Sequence, residues 1–351
     1  MKRTPTGLLL AALVGATAIA GALVAADSGT SAGKAPFTAA LVSDIGRFND
    51  KSFNQLQYEG LKRAQTQLGV KILPLQSNSV SDYIPNLTNA IRRGSNITIS
   101  AGYLLADATA TVAKKYPAKE FAITDYSVHA SPFATKAGKP LYKNVVGLTY
   151  ASEQSGALVG YLAAEMVKKQ GGPQVIGAVG GLKIPTVDNW IAGYRYGAKL
   201  FNPKITVLIG YSQDFVAADK CKTVAENQIS KGAQVLFQVA GGCGLGTLKA
   251  ADDAKIWGIG VDKDQYNDAE RVLTSGVKRV DTGIFLAVKA AKEGKSLGGT
   301  DLLFTLKNNG MAVGKINPAV PKAFIVKMNA LKAKIIAGTV KVPATLGAAG
   351  G

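Results

Sequence analysis

Short apolar runs rich in β-branched residues alternate along this chain with segments whose apolar residues recur every three or four positions. Runs at 37–42, 70–74, 97–100, 121–124 and 145–149 have strand character. Residues 52–68, 82–91, 106–115 and 152–169 have helical spacing. A second series follows, with strand-like runs at 175–179, 205–211, 235–239 and 256–261 separated by helical stretches at 187–200, 218–230 and 247–254. Continuous apolar strands joined by amphipathic helices build a parallel sheet covered on both faces. So many strands at 351 residues exceed what one core serves, which predicts two α/β lobes. The remainder predicts a strand at 271–274, a helix at 277–292, a strand near 311–315 and a helix at 322–337. No fixed internal period is present, which excludes a solenoid.

The first residues, Met1-Lys2-Arg3-Thr4-Pro5-Thr6 and then the apolar stretch 7–26, read as an export signal with cleavage near Ala26. An uncleaved membrane anchor is the other reading, since the stretch is long enough to cross a bilayer. Residues 27–35 form a linker. The chain has two cysteines, Cys221 and Cys243, and in an exported protein an even count favours a disulfide over two buried thiols. The formal charge of +18 is spread over many helices and is accompanied by no recognition motif, so a solvated basic surface is expected and nucleic acid is not.

Catalytic and metal-binding patterns are missing. There is one histidine, His129, with no nucleophile elbow, no Walker loop and no metal-ligand spacing. A non-enzymatic protein without cofactor or metal is expected. The informative stretch is Ser43–Asn54, between the first strand and first helix. Strand-to-helix loops lie at the carboxyl ends of parallel strands, where ligands bind. Here Asp44 accepts hydrogen bonds, Phe53 offers a flat face, and Asn54 donates and accepts. Asp125 ends the run 121–124 and reaches the same edge, or serves there as a helix cap. Phe215 follows a strand of the second series. The run Gly241-Gly242-Cys243-Gly244-Leu245-Gly246 departs from a dinucleotide fingerprint at Thr247. Gly242 and Gly244 there either face a ligand with backbone amides or form a tight turn. Asp262 closes the strand 256–261, and Lys278 falls just inside the predicted helix 277–292.

The patterns Asp44-x-Gly46, then Asp50-x-Ser52-Phe53-Asn54, and later Gly260-Val261-Asp262-Lys263-Asp264-Gln265, resemble the basic membrane protein family. These are type I periplasmic-binding-protein-like receptors of ABC transporters, the best understood of which bind purine nucleosides. The likeness runs from Phe37 to Ile284. It implies two lobes that close about a hinge, 36–147 with 268–296 and 148–267 with 297–343, followed by a flexible tail at 344–351. It further implies a base stacked between Phe53 and Phe215 and read by Asp44, Asn54 and Asp125. Gly242 and Gly244 would line the cleft, with Asp262 and Lys278 on the ribose hydroxyls. The resemblance therefore predicts an exported, monomeric, periplasmic or cell-surface receptor. It would hand guanosine, adenosine or inosine to a permease. A sugar receptor of the same fold, a nucleoside-cleaving enzyme and a surface adhesin are the rival readings.

Overall fold

The strands at 38–42, 97–100, 120–124 and 145–150 are buried along most of their length, so each can sit only inside a sheet with both faces covered. The computed structural model describes residues 36–347, and there the strands and helices alternate as expected. In the first lobe the elements are β1 (Thr38–Val42), α1 (Phe53–Leu68), β2 (Lys71–Leu75), α2 (Tyr83–Arg92), β3 (Ile97–Ser100), α3 (Ala106–Lys115), β4 (Glu120–Thr124) and β5 (Val145–Tyr150). The chain then enters the second lobe through α4 (Ser152–Gln170), β6 (Val175–Gly180), α5 (Pro185–Phe201), β7 (Thr206–Tyr211), α6 (Ala218–Ser230), β8 (Val235–Val239), α7 (Gly244–Asp253), β9 (Trp257–Asp262) and β10 (Val272–Lys278). It returns with α8 (Val280–Lys292) and β11 (Asp301–Phe304), and ends in the second lobe with β12 (Met311–Val313) and α9 (Lys322–Ile336).

Two six-stranded sheets result, ordered β11-β5-β4-β3-β1-β2 and β12-β10-β9-β8-β6-β7. All neighbours are parallel except β12, which runs against β10. Pro74 lies in β2, an edge strand where its missing N–H costs no ladder bond. In both sheets the order reverses beside the first strand, between β1 and β3 and between β6 and β8. An open α/β sheet holds its ligand at such a reversal, outside the carboxyl ends of the strands.

The crossings fall elsewhere than the expected boundaries. β5 pairs with β4 through Leu148 and with β11 through Tyr150, so the first passage follows Tyr150 and not residue 147. β10 pairs with β9 in the second sheet, so the second passage comes after Lys278 and not near Asp268. β11, which no sequence pattern announced, pairs with β5 in the first sheet, so the third passage follows Phe304 and not Ser296. Burial explains the shift at β10, whose seven residues are all buried. Lys278 is thus the last residue of a strand, and the helix begins at Val280. The expected leader 1–26 and linker 27–35 lie outside the described residues, as do residues 348–351. The carbonyl of Leu346 accepts a hydrogen bond from Arg195.

Candidate functional site

Asp44 follows β1 and would be drawn toward water were it not held. The N–H of Gly46 and the side-chain amide of Asn54 both donate to its Oδ1, at 2.7 Å each, which leaves Oδ2 facing the space between the lobes. Asn54 is fully occupied by this task. Its Nδ2 also donates to Asp50 at 3.1 Å, and its Oδ1 accepts the Asp44 N–H at 3.3 Å. Asn54 therefore positions Asp44, and its amide is not free for a ligand. Asp50 was not among the expected site residues, yet it organises the loop. Its carboxylate accepts the N–H groups of Ser52, Asn54 and Gln55, capping the start of α1. An aspartate two residues before a Ser at a helix start was the signal that could have found it.

Across the cleft, Lys278 is buried, with Nζ 2.7 Å from Asp125 Oδ2 and 3.5 Å from Asp262 Oδ1. The ammonium also lies 4.8 Å from the centre of the Phe53 ring and 5.6 Å from that of Tyr150. Asp125 comes from the first lobe and Lys278 from the second, so this pair bridges the two lobes. The hydroxyl of Thr186, also of the second lobe, donates to the same Asp125 oxygen at 3.0 Å. Ser52 reaches the other way, its hydroxyl 3.1 Å from the Val261 carbonyl and 3.2 Å from Asp262 Oδ2. Asp125 and Asp262 occupy corresponding places at the ends of β4 and β9, and both have φ of +62°. Left-handed backbone at two non-glycine strand ends is strain, of the kind that collects at ligand sites.

Burial dominates the electrostatics. It pushes the Asp44 carboxyl up to about 7, against the hydrogen bonds from Gly46 and Asn54, with Asp50 and Asp125 raising it further. Burial likewise lifts Asp262 to about 6 despite the pull of Lys278. The reason is geometric: the Asp262 oxygen nearest Nζ is too far for a good hydrogen bond and has no other donor. Burial draws the Lys278 ammonium down, but Asp125 and Asp262 together outweigh it and hold it above its usual value.

The cavity between the lobes takes Asp44, Phe53, Asn54, Asp125, Phe215, Asp262 and Lys278 into its wall. Tyr103, Thr186 and Trp190 complete it and were not foreseen. The Phe53 ring rests on Gly102, where a Cβ would stand 2.9 Å from Cε1 and where φ is +112°. Phe215 rests likewise on Gly181. The glycines of the run 241–246 take different places. Gly241 lines the cavity, Gly242 backs onto Asp50, and Gly244 is buried against Gln238 at the start of α7. Cys221 and Cys243 form a disulfide, and the Cys243 N–H donates to the Phe215 carbonyl at 3.1 Å, so the bridge steadies the turn that carries the ring. Lys222 pairs with Glu226 and Asp253 away from the cleft. His129 approaches the Gly138 carbonyl through Nδ1 at 3.0 Å. Among the described residues no group of His, Cys, Asp and Glu could hold a metal.

Two parallel-sheet lobes with their reversals facing one cavity define the type I periplasmic-binding fold. A solute-binding protein of an ABC transporter system from Aeropyrum pernix K1 superposes with a TM-score of 0.77 at 25% identity, over 88% of this chain and 94% of that one. The chain belongs to the Bmp family, the PnrA-like ABC transporter substrate-binding proteins, whose model matches residues 37–345. It is 33% identical to the ABC transporter nucleoside-binding protein BmpA of Lactococcus lactis, over 98% of this chain and 99% of that protein. It is 31% identical to the CD4+ T-cell-stimulating antigen of Listeria innocua, again over 98% and 99%. Among the described residues no helix is long and apolar enough to cross a membrane.

Proposed function

We propose that this substrate-binding protein captures a purine nucleoside between its lobes, outside the cytoplasm, and presents it to an ABC permease without altering it. The observation that carries the reading is that one cavity receives an aromatic ring from each lobe, Phe53 and Phe215, beside polar groups of both. A flat heterocycle between two rings gains stacking on each face, and stacking alone tolerates any base. Selection then falls to Asp44, whose free Oδ2 accepts from N–H groups on the base edge. Asp262 and Lys278 offer an acceptor and a donor suited to vicinal hydroxyls. The nucleoside-binding relative from Lactococcus lactis supports the same class. Contacts to both lobes exist only in the closed form, so a ligand shifts the population toward it.

Calorimetry with guanosine, inosine, adenosine and ribose tests this. A nucleoside is expected to bind at least 100-fold more tightly than ribose, and chromatography of the incubated mixture is expected to recover it intact. Equal affinity for ribose would establish a sugar receptor, and free base in the mixture would establish a hydrolase.

A further inference from the structure

The first helix meets the second lobe outside the cavity. Glu59 lies in the second turn of α1, and its Oε1 receives the Lys263 ammonium of the second lobe at 2.7 Å. Lys51, in the loop before that helix, places its ammonium 3.5 Å from Asp268 Oδ1 of the second lobe. Between the two pairs the buried side-chain amide of Gln265 donates to the Lys51 carbonyl at 3.2 Å. Lys263, Gln265 and Asp268 all belong to the loop that joins β9 to β10. None of the four charged residues lines the cavity.

Each side of this contact is fastened to its own lobe. In the second lobe the Gln265 N–H donates to Ser275 Oγ at 3.0 Å, and its Oε1 accepts the Val261 N–H at 2.9 Å. Asp264 accepts the Lys315 N–H at 2.9 Å, which ties the same loop to the segment after β12. In the first lobe Gln55 donates to the Glu59 oxygen at 3.0 Å, and Arg63 joins α1 to Asp281 of α8 at 3.3 Å. The charges are therefore carried by two separate bodies, and they meet in the lobe arrangement seen here. Their polarity is crossed: each lobe gives one cation and one anion. The attraction thus depends on how the lobes are set against each other and not on the net charge of either.

We propose that the pairs Lys263–Glu59 and Lys51–Asp268 are a latch outside the ligand cavity, which holds the lobes together and so tunes how tightly any ligand is retained. This rests on capture by closing lobes, and it makes the four residues positioning residues that touch no ligand. Half-exposed ion pairs are each worth only about two- to fivefold in an equilibrium. A closing equilibrium passes such a factor directly into the apparent affinity, because only the closed fraction grips the ligand on both sides. Solvent reaches the four side chains, 21–56% exposed, so salt weakens the latch. An uncharged nucleoside is then held less tightly as salt rises.

The test is calorimetry and stopped-flow dissociation with guanosine and with ribose on the whole chain, at low and high salt. K263E replaces an attraction with a repulsion of similar size and is expected to weaken guanosine about tenfold at low salt, through faster dissociation. E59K should do the same, and E59K/K263E should return to within about threefold of the unaltered chain. Salt should weaken binding about threefold in the unaltered chain and strengthen it in K263E, where it screens a repulsion. K204E makes the same charge change in the turn between α5 and β7 and should alter neither the affinity nor its salt slope. Circular dichroism and the melting temperature report that each variant is folded. Unchanged affinity in K263E, a double variant as weak as the two reversals combined, or equal losses in K263E and K204E would each overturn the latch. Equal affinity of the unaltered chain for guanosine and ribose would instead refute the nucleoside reading, and the same ratios measured with ribose would then decide the latch.

Discussion

Affinity for a nucleoside that donates to Asp44 is expected to rise about tenfold between pH 6 and pH 8. With its carboxyl pushed to about 7 by burial, Asp44 is ionised in about one molecule in eleven at pH 6 and in about ten of eleven at pH 8. Only the carboxylate accepts through Oδ2, so the ionised fraction scales the affinity, a change of about 1.4 kcal/mol. Asp262, lifted to about 6, adds a slope of the same sign at the acid end if it too accepts from the ligand. Calorimetry at pH 6, 7 and 8 in two buffers of different ionisation heat would measure both the affinity and the protons released. In Asp44→Asn the slope should vanish while overall binding weakens. Guanosine affinity that is flat across this range, or a slope that survives in Asp44→Asn, would refute the reasoning. The empty protein should move the opposite way. Because the folded pKa lies above the unfolded 3.8, the folded chain holds the proton more tightly, so stability falls as pH rises from about 4 to about 7 and then levels. The formal size is at most about 4 kcal/mol, with the same trend added by Glu153, lifted to about 7 by burial in α4 and outside the cavity.

Phe53→Ala and Phe215→Ala should each weaken nucleoside binding by about 1–3 kcal/mol, roughly 5- to 150-fold by calorimetry, and leave ribose binding unchanged. Lys278→Met leaves Asp125 and Asp262 buried without their cation and should lower stability to urea by about 3–5 kcal/mol. Adding Asp125→Asn should recover part of that loss, and a double variant as unstable as the sum of the singles would show that the pair is not coupled. Reducing the Cys221–Cys243 bridge, 22 residues apart in sequence, should cost about 3 kcal/mol in urea denaturation, and an unchanged midpoint would show that the turn holds without it.

Strands and helices were legible because burial on two faces writes a continuous apolar run, and β1, β3, β4, β8 and β9 each show one. β11 did not, since an edge strand of four residues with one buried position carries no such signature. The sequence pattern puts Lys278 in a helix for a related reason: a lysine rarely ends a fully buried strand, and only its two carboxylate partners permit it there. At the site, residue type gave the aromatic rings and the aspartates but not their division of labour. Asn54 and Asp44 look equally able to meet a ligand until the hydrogen bonds show that one holds the other. Gly242 and Gly244 look alike in a run of glycines, and only packing against Asp50 and Gln238 separates them from Gly241.

The interlobe pair also sets what a ligand must do. In an open form Asp125 and Lys278 would part, and water would solvate both. In the closed form they meet at 2.7 Å with the Lys278 side chain 3% exposed and that of Asp125 5% exposed. Removing two charges from water costs more than their attraction returns unless further hydrogen bonds complete the site. Thr186 supplies one such bond to Asp125 and Ser52 supplies one to Asp262. Among the described residues Asp262 Oδ1 still has no donor, and the hydrogen bonds to Asp44 fall on Oδ1. The closed cavity is therefore short of donors and well supplied with acceptors. A molecule bearing N–H and O–H groups relieves that shortage, whereas one bearing phosphate would add negative charge to a wall that already holds four carboxylates and one ammonium. The chemistry that stabilises closure and the chemistry that selects the ligand are the same set of unfilled acceptors.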